Sequence, residues 1–278
     1  MEMKIVNLPD AVRFERMNTA EIRESFLVDT LFVPGQINLV YSIQERMIVG
    51  SIVPTNQKIL LGTYKELASE YFTERREIGL INIGDVGAIF VDGNKFVLEH
   101  KEALYIGRGA KKVEFVSENV SKPAQFYLVS LPAHTTYPTA KIGLKSAEPV
   151  HLGDEKNSNK RTIYKYIHEK GVKSCQLVMG MTELADGSIW NTMPAHTHIR
   201  RTEVYMYFGL DKDAVVFHYM GKPSETRHIV VRNGQAVISP IWSIHCGAGT
   251  KNYSFVWAMG GENQNYADMD VVPMDEIR

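Results

Sequence analysis

A chain of 278 residues, 44% hydrophobic and 23% charged, is long enough to bury one large core or two modest ones. Its formal net charge of −1 argues against nucleic acid or an anionic membrane as the main partner, because both favour basic surfaces. Two cysteines, Cys175 and Cys246, give no disulfide framework; neither a leader-like N-terminus nor a long apolar run is present, so the expected compartment is the cytoplasm.

In chain order, Asn18 or Thr19 can cap a short helix with Glu21 behind it. A second short helix is expected over 64–72, where Leu67, Ala68 and Tyr71 recur at helical spacing and Thr63 can cap. The remainder of the first half reads as strands at 37–42, 77–82, 87–91, 95–98, 103–106 and 126–130, each β-branched or aromatic and bounded by turn residues. Asp92-Gly93-Asn94 between two of them is a tight-turn signal. The polar run from Gly153 to Lys160 then suggests a boundary, giving domains 1–153 and 154–278. Beyond it strands resume at 161–167, 174–183, 202–208, 214–220, 227–231, 236–239 and 254–259. Many short strands with regular turns predict an all-β sandwich or barrel with a few short helices. Two halves of similar texture hint at a duplication, although no clean sequence repeat is visible.

The chemistry concentrates in Pro194-Ala195-His196-Thr197-His198, in Glu203, and in Pro240-Ile241-Trp242-Ser243-Ile244-His245. Residues two apart on a strand share a face, so His196 and His198 project together. A turn through Ile199 to Thr202 resets the parity and puts Glu203, Tyr205 and Tyr207 on one face of the next strand. A closed barrel can bring His245 alongside. Neutral imidazoles with one carboxylate suit zinc, iron, manganese, nickel or cobalt rather than magnesium or calcium. The other histidines are weaker: His218 and His228 suit structural roles, His100, His151 and His168 solvated ones, and His134 is intermediate. Cys246 should face away from its neighbour His245.

These residues resemble the two motifs of the cupin superfamily: His196-x-His198-x4-Glu203-x5-Gly209 the first, and Gly234-x5-Pro240-x-Trp242-x2-His245 the second. Gly187 lies further upstream of His196 than the usual glycine, Gly209 comes one residue early and Trp242 replaces a glycine, but all four ligand positions are intact. The segments Leu177 to Leu184, Gly187 to Pro194, Arg200 to Tyr205 and Trp257 to Asn263 resemble the 5-keto-4-deoxyuronate isomerase family. Arg23 to Leu27, Tyr41 and Arg46 to Gly50 extend the resemblance over nearly the whole chain. It implies a double-cupin fold of two jelly-roll barrels, one zinc ion on His196, His198, Glu203 and His245, a homohexamer, and a small acidic keto-sugar as substrate in pectin and uronate breakdown. The first half lacks its own ligand set and is expected to be a degenerate cupin.

The implied ketol isomerisation needs a stabilised oxyanion and a proton or hydride transfer, and both an enediol route and a hydride shift stay open. Glu183, Tyr205 and Tyr207 are the acid/base candidates, though each also suits packing or a solvated strand end. A guanidinium from Arg161, Arg200 or Arg201 could bind the substrate carboxylate, and Trp190 and Trp242 could wall the pocket. The alternatives are an iron-dependent cupin dioxygenase, the related 5-deoxy-glucuronate isomerase and a non-enzymatic sugar-binding cupin.

Overall fold

The computed structural model describes residues 3–278, which form short strands with two α-helices and two 3-10 turns. The helix Thr19–Phe26 starts as the sequence suggests: Asn18 caps it through a reciprocal pair of hydrogen bonds with Glu21. The helix expected over 64–72 is only the 3-10 turn Lys65–Leu67. Ala68 adopts a left-handed conformation (φ 46°) that ends it, and the Thr63 hydroxyl donates to the Ser69 carbonyl instead of capping a helix. Asp92 and Gly93 both take positive φ and join Gly87–Val91 to Asn94–Leu98 with Val91 opposite Asn94, as a two-residue hairpin turn requires.

Two compact units divide these residues. The first contains the described residues up to Val6, Thr30–Glu148 and Tyr166–Val178; the second contains Asn7–Asp29, Pro149–Lys165 and Met179–Arg278. The chain therefore passes between units several times, whereas a single cut after 153 was expected. The polar run 153–160 is the connection of an antiparallel hairpin, Val150–Leu152 against Arg161–Ile167, so its polarity reflects an exposed turn.

Each unit is built on one seven-stranded and one four-stranded sheet. In the first, the large sheet runs Lys4–Val6, Ile37–Ser42, Met47–Ile52, Phe126–Pro132, Arg76–Asn82, Ala103–Ile106, Ala140–Ile142. Its small sheet runs Ile59–Leu60, Val113–Ser117, Gly87–Val91, Asn94–Leu98. Ile48, Ile78, Leu80, Ile89, Phe115 and Phe126 from both sheets share one apolar core.

The second unit's large sheet runs Val150–Leu152, Arg161–Ile167, Val178–Leu184, Ser254–Gly261, Arg201–Phe208, Gln235–Ser239, Leu27–Val28. Its small sheet is Trp190–Asn191, Cys246–Gly249, Val216–Lys222, Glu225–Val231. The central strands of the two units have the same order and the small sheets the same hairpin, but the first strand of the large sheet runs parallel to its neighbour in the first unit and antiparallel in the second. The seventh strand of the second unit, however, comes from the N-terminal segment. That segment is held by Phe14 and Phe26, which pack on each other (5.6 Å) and on Trp242 (5.2 and 6.2 Å), and by Lys222 pairing with Glu15. Trp242 therefore anchors the N-terminal helices; it is not a wall of the pocket.

Candidate metal centre

Arg201–Phe208 lies between Gln235–Ser239 and Ser254–Gly261, so Glu203 projects from the middle of the large sheet of the second unit, opposite Ser239 on one side and Met259 on the other. His196 sits on a two-residue strand paired with Asp270–Val271, and His198 follows in the tight turn closed by the Arg201 N–H donating to the His198 carbonyl. His245 immediately precedes the strand Cys246–Gly249 of the small sheet. The four side chains converge: one ligand atom from each lies within 4.8 Å of the others, and all four residues are buried.

The contacts within the group are those of a cation site. Glu203 Oε2 is 2.9 Å from His198 Nε2 and 2.8 Å from His245 Nε2, while the Nε2 atoms of His196 and His245 are 3.0 Å apart. The His198 Nδ1–H donates to the Arg201 carbonyl at 2.8 Å, which fixes the ring and directs its Nε2 lone pair inward. Burial, with help from His245, pushes the His196 imidazole down to about 3, so it is neutral and able to ligate. Burial would raise the Glu203 carboxyl, but the adjoining histidines outweigh it and hold the group ionised, below the usual carboxylate range. Three nitrogen lone pairs facing one carboxylate in a dry site fit a divalent metal ion.

A cavity of about 190 Å³ opens onto this group, lined by His196, His198 and Glu203 and walled by Phe255, Trp257, Met259 and Ile163. Tyr205 lines it as well, its ring 5.4 Å from that of His245 and its hydroxyl 3.4 Å from Thr192 Oγ1. Burial and the Glu203 charge raise the Tyr205 phenol well above its ordinary value, so it stays protonated. Arg161 also lines the cavity.

The other residues singled out from sequence lie elsewhere. Tyr207 is buried but does not line the cavity; its hydroxyl lies 2.7 Å from His218 Nδ1, with His218 Nε2 3.3 Å from Ser239 Oγ. Thr182 faces the cavity, so Glu183, next along the extended strand, points to the opposite face and bonds Tyr164. Trp190 stacks on Tyr219 at 6.0 Å, while its neighbour Asn191 faces the cavity. Arg200 is paired with Asp268 and Asp270 at 2.6 and 3.0 Å. Arg201 is fully buried and donates to the Asp268 carbonyl at 2.7 Å. Both arginines thus hold the loop that carries Tyr266 and Met269 to the cavity rim, where a substrate-binding role was expected. Thr182, Thr192, Trp257 and Tyr266 were not foreseen as cavity residues; Thr182, Thr192 and Trp257 were visible only within segments that carry the family resemblance, and Tyr266 had no signal beyond being aromatic.

Cα pairing also explains why the first unit has no equivalent centre among its described residues. Ile78 pairs with Ser130 just as Glu203 pairs with Met259, each the third residue of its strand, and Ile78 is buried in the apolar core. Arg75-Arg76 then matches Arg200-Arg201, a faint repeat that emerges only when the strands are superposed by register.

A buried three-histidine, one-glutamate group inside a two-sheet barrel makes this a cupin-type fold with a candidate metal centre. The fold agrees with solved structures: an IolB-like protein from Salmonella typhimurium covers 89% of this chain and 97% of its own, at TM-score 0.71 and 13% identity. A Bacillus subtilis oxalate decarboxylase aligns over 82% of this chain and 72% of its own at TM-score 0.56 and 11% identity. Sequence relatives are nearer. The 4-deoxy-L-threo-5-hexosulose-uronate ketol-isomerase of Caldicellulosiruptor bescii is 55% identical over the full length of both chains, and that of Escherichia coli 53% identical over 94% of this chain and 95% of its own. The KduI/IolB family model matches residues 26–274, and the chain belongs to that family.

Proposed function

We propose that the chain is a ketol-isomerase converting 4-deoxy-L-threo-5-hexosulose uronate to 3-deoxy-D-glycero-2,5-hexodiulosonate, with one zinc ion on His196, His198, Glu203 and His245. The observation that carries this reading is the coincidence of a complete buried ligand set with 55% identity over the whole chain to a protein of that name. When bound, the cation supplies Lewis-acid stabilisation of the oxygen on which negative charge develops.

The chain's own residues supply the rest. The Arg201 carbonyl keeps His198 oriented for ligation. Tyr205, protonated and inside the cavity, stabilises the developing oxyanion by donating a hydrogen bond from its phenol while keeping its proton. Phe255, Trp257 and Met259 exclude water and strengthen these interactions by lowering the local dielectric. Tyr207 and Glu183 act from outside the cavity, Tyr207 through the His218 network that packs beneath Tyr205. The first unit, as a degenerate cupin, serves packing and subunit assembly; a homohexamer in the cytoplasm, without nucleic-acid or membrane partners, suits this reading. No helix among the described residues is long and apolar enough to cross a membrane.

The test is metal analysis combined with turnover of the keto-uronate made by an unsaturated oligogalacturonide hydrolase. Zinc near one per chain and product formation, both lost in His245→Ala, are expected. Iron together with oxygen consumption would instead support a dioxygenase.

A further inference from the structure

Arg161 differs from the other two arginines near the centre. Arg200 is paired with the carboxylates of Asp268 and Asp270. Arg201 donates to the Asp268 carbonyl and, although its Nε and Nη1 are buried without partners, it does not line the cavity, whereas Arg161 does and has no carboxylate partner among the described residues. One of its Nη1 hydrogens goes to the Asn159 carbonyl at 2.9 Å, which fixes the head of the side chain. Its Nε is buried and has no hydrogen-bond partner. An unsatisfied guanidinium nitrogen costs free energy unless a ligand completes it. Arg161 is also the only lysine or arginine among the residues lining the cavity, which it shares with His196, His198 and Glu203. Beside it lies Tyr266, packed on Trp257 at 5.3 Å. Burial pushes the Tyr266 phenol up to about 12, which keeps it a hydrogen-bond donor.

We infer that Arg161, assisted by the Tyr266 hydroxyl, is the carboxylate anchor of this site, so that a sugar acid is held by its carboxylate at one end and presents its carbonyl end to the metal group. The planar fork of arginine fits a carboxylate in a way that an ammonium does not. The cavity thereby selects uronates over neutral sugars of the same shape. This assignment rests on the isomerase reading for the direction of the substrate, but the selection of an acid follows from the cavity alone.

The experiment uses the zinc-loaded full chain with D-galacturonate and D-galactose as probes. Binding is followed by tryptophan fluorescence, since Trp257 lines the cavity. Wild-type protein is expected to prefer the acid by about 10- to 100-fold, the range for one charge-assisted contact. Arg161→Gln should abolish that preference with zinc content unchanged, and Arg161→Lys should restore part of it. In turnover, the loss should fall on KM more than on kcat. A preference for the acid that survives in Arg161→Gln, or its absence from the wild type, would overturn the anchor. A preference for the acid that is present in the wild type and lost in Arg161→Gln, in a protein that fails to isomerise the keto-uronate, would uphold the anchor and sink the reaction assignment.

Discussion

At the scale of single residues, the centre depends on which atom of each side chain is free to face inward. His198 gives up Nδ1 to the Arg201 carbonyl, and this commits Nε2 to the cavity. Removing His196 or His245 should therefore abolish both metal binding and turnover without unfolding the second unit, as metal analysis and circular dichroism can establish. Tyr205 is a different case, because the role proposed for it is a hydrogen bond from its hydroxyl. Tyr205→Phe keeps the ring that packs on Phe255 at 4.6 Å and removes only the hydroxyl. A fall in kcat of about 100-fold or more with full zinc content is expected, within the span for loss of one oxyanion donor. Unchanged kcat would remove Tyr205 from the chemistry. All four residues that converge were legible in the sequence, His196, His198 and Glu203 from their close spacing and His245 from the resemblance of its segment to a cupin motif. The roles of Arg200 and Glu183 were not, because each is decided by what stands opposite: Asp268 for the first, a reversal of strand face for the second.

Whole elements carry the next set of consequences. The loop bearing Tyr266 is clamped at Asp268, whose carboxylate takes Arg200 and Asn263 while its carbonyl takes Arg201. Arg200 and Asn263 hold the Asp268 carboxyl below the usual range. A folded-state value below the unfolded one means that the clamp is fully present above the ordinary value of 3.8 and weakens only as pH falls through the depressed one, so it persists through mild acid. Asp268→Asn should raise KM while leaving zinc in place, as steady-state kinetics and metal analysis would show. The N-terminal segment is a second such element. Phe26 is fully buried against Phe14 and Trp242, and Phe26→Ala should cost about 3–5 kcal/mol by denaturant unfolding, with the strand Leu27–Val28 losing its dock. Periodicity and capping residues revealed the helix Thr19–Phe26, but not that it belongs to the second unit. Its partner Trp242 is more than two hundred residues away, beyond any local pattern.

For the whole molecule, the two units repeat one order of central strands that the sequence scarcely shows, since the corresponding strands share their pairing but not their residue identities. The first unit has Ile78 at the register position of Glu203 and a buried carboxylate, Glu77, beside it. Glu77 accepts the Tyr105 hydroxyl and the backbone N–H groups of Cys175, Gln176 and Leu177, all within the first unit. Glu77→Gln would turn an amide donor toward these donors, so a destabilisation of at least about 2 kcal/mol is expected in thermal or denaturant melts, with zinc content unaltered. This latch could not be anticipated from sequence, because its partners lie about a hundred positions along the chain.

The assignment as a whole is tested most directly by reconstitution. Metal-stripped protein, returned to zinc in steps, is mixed with 4-deoxy-L-threo-5-hexosulose uronate while nuclear magnetic resonance follows the appearance of 3-deoxy-D-glycero-2,5-hexodiulosonate. Turnover that rises in proportion to zinc bound, levels off at one ion per chain and is absent from His245→Ala is the expected result. Substrate that stays unchanged in the presence of fully zinc-loaded wild-type protein would contradict it.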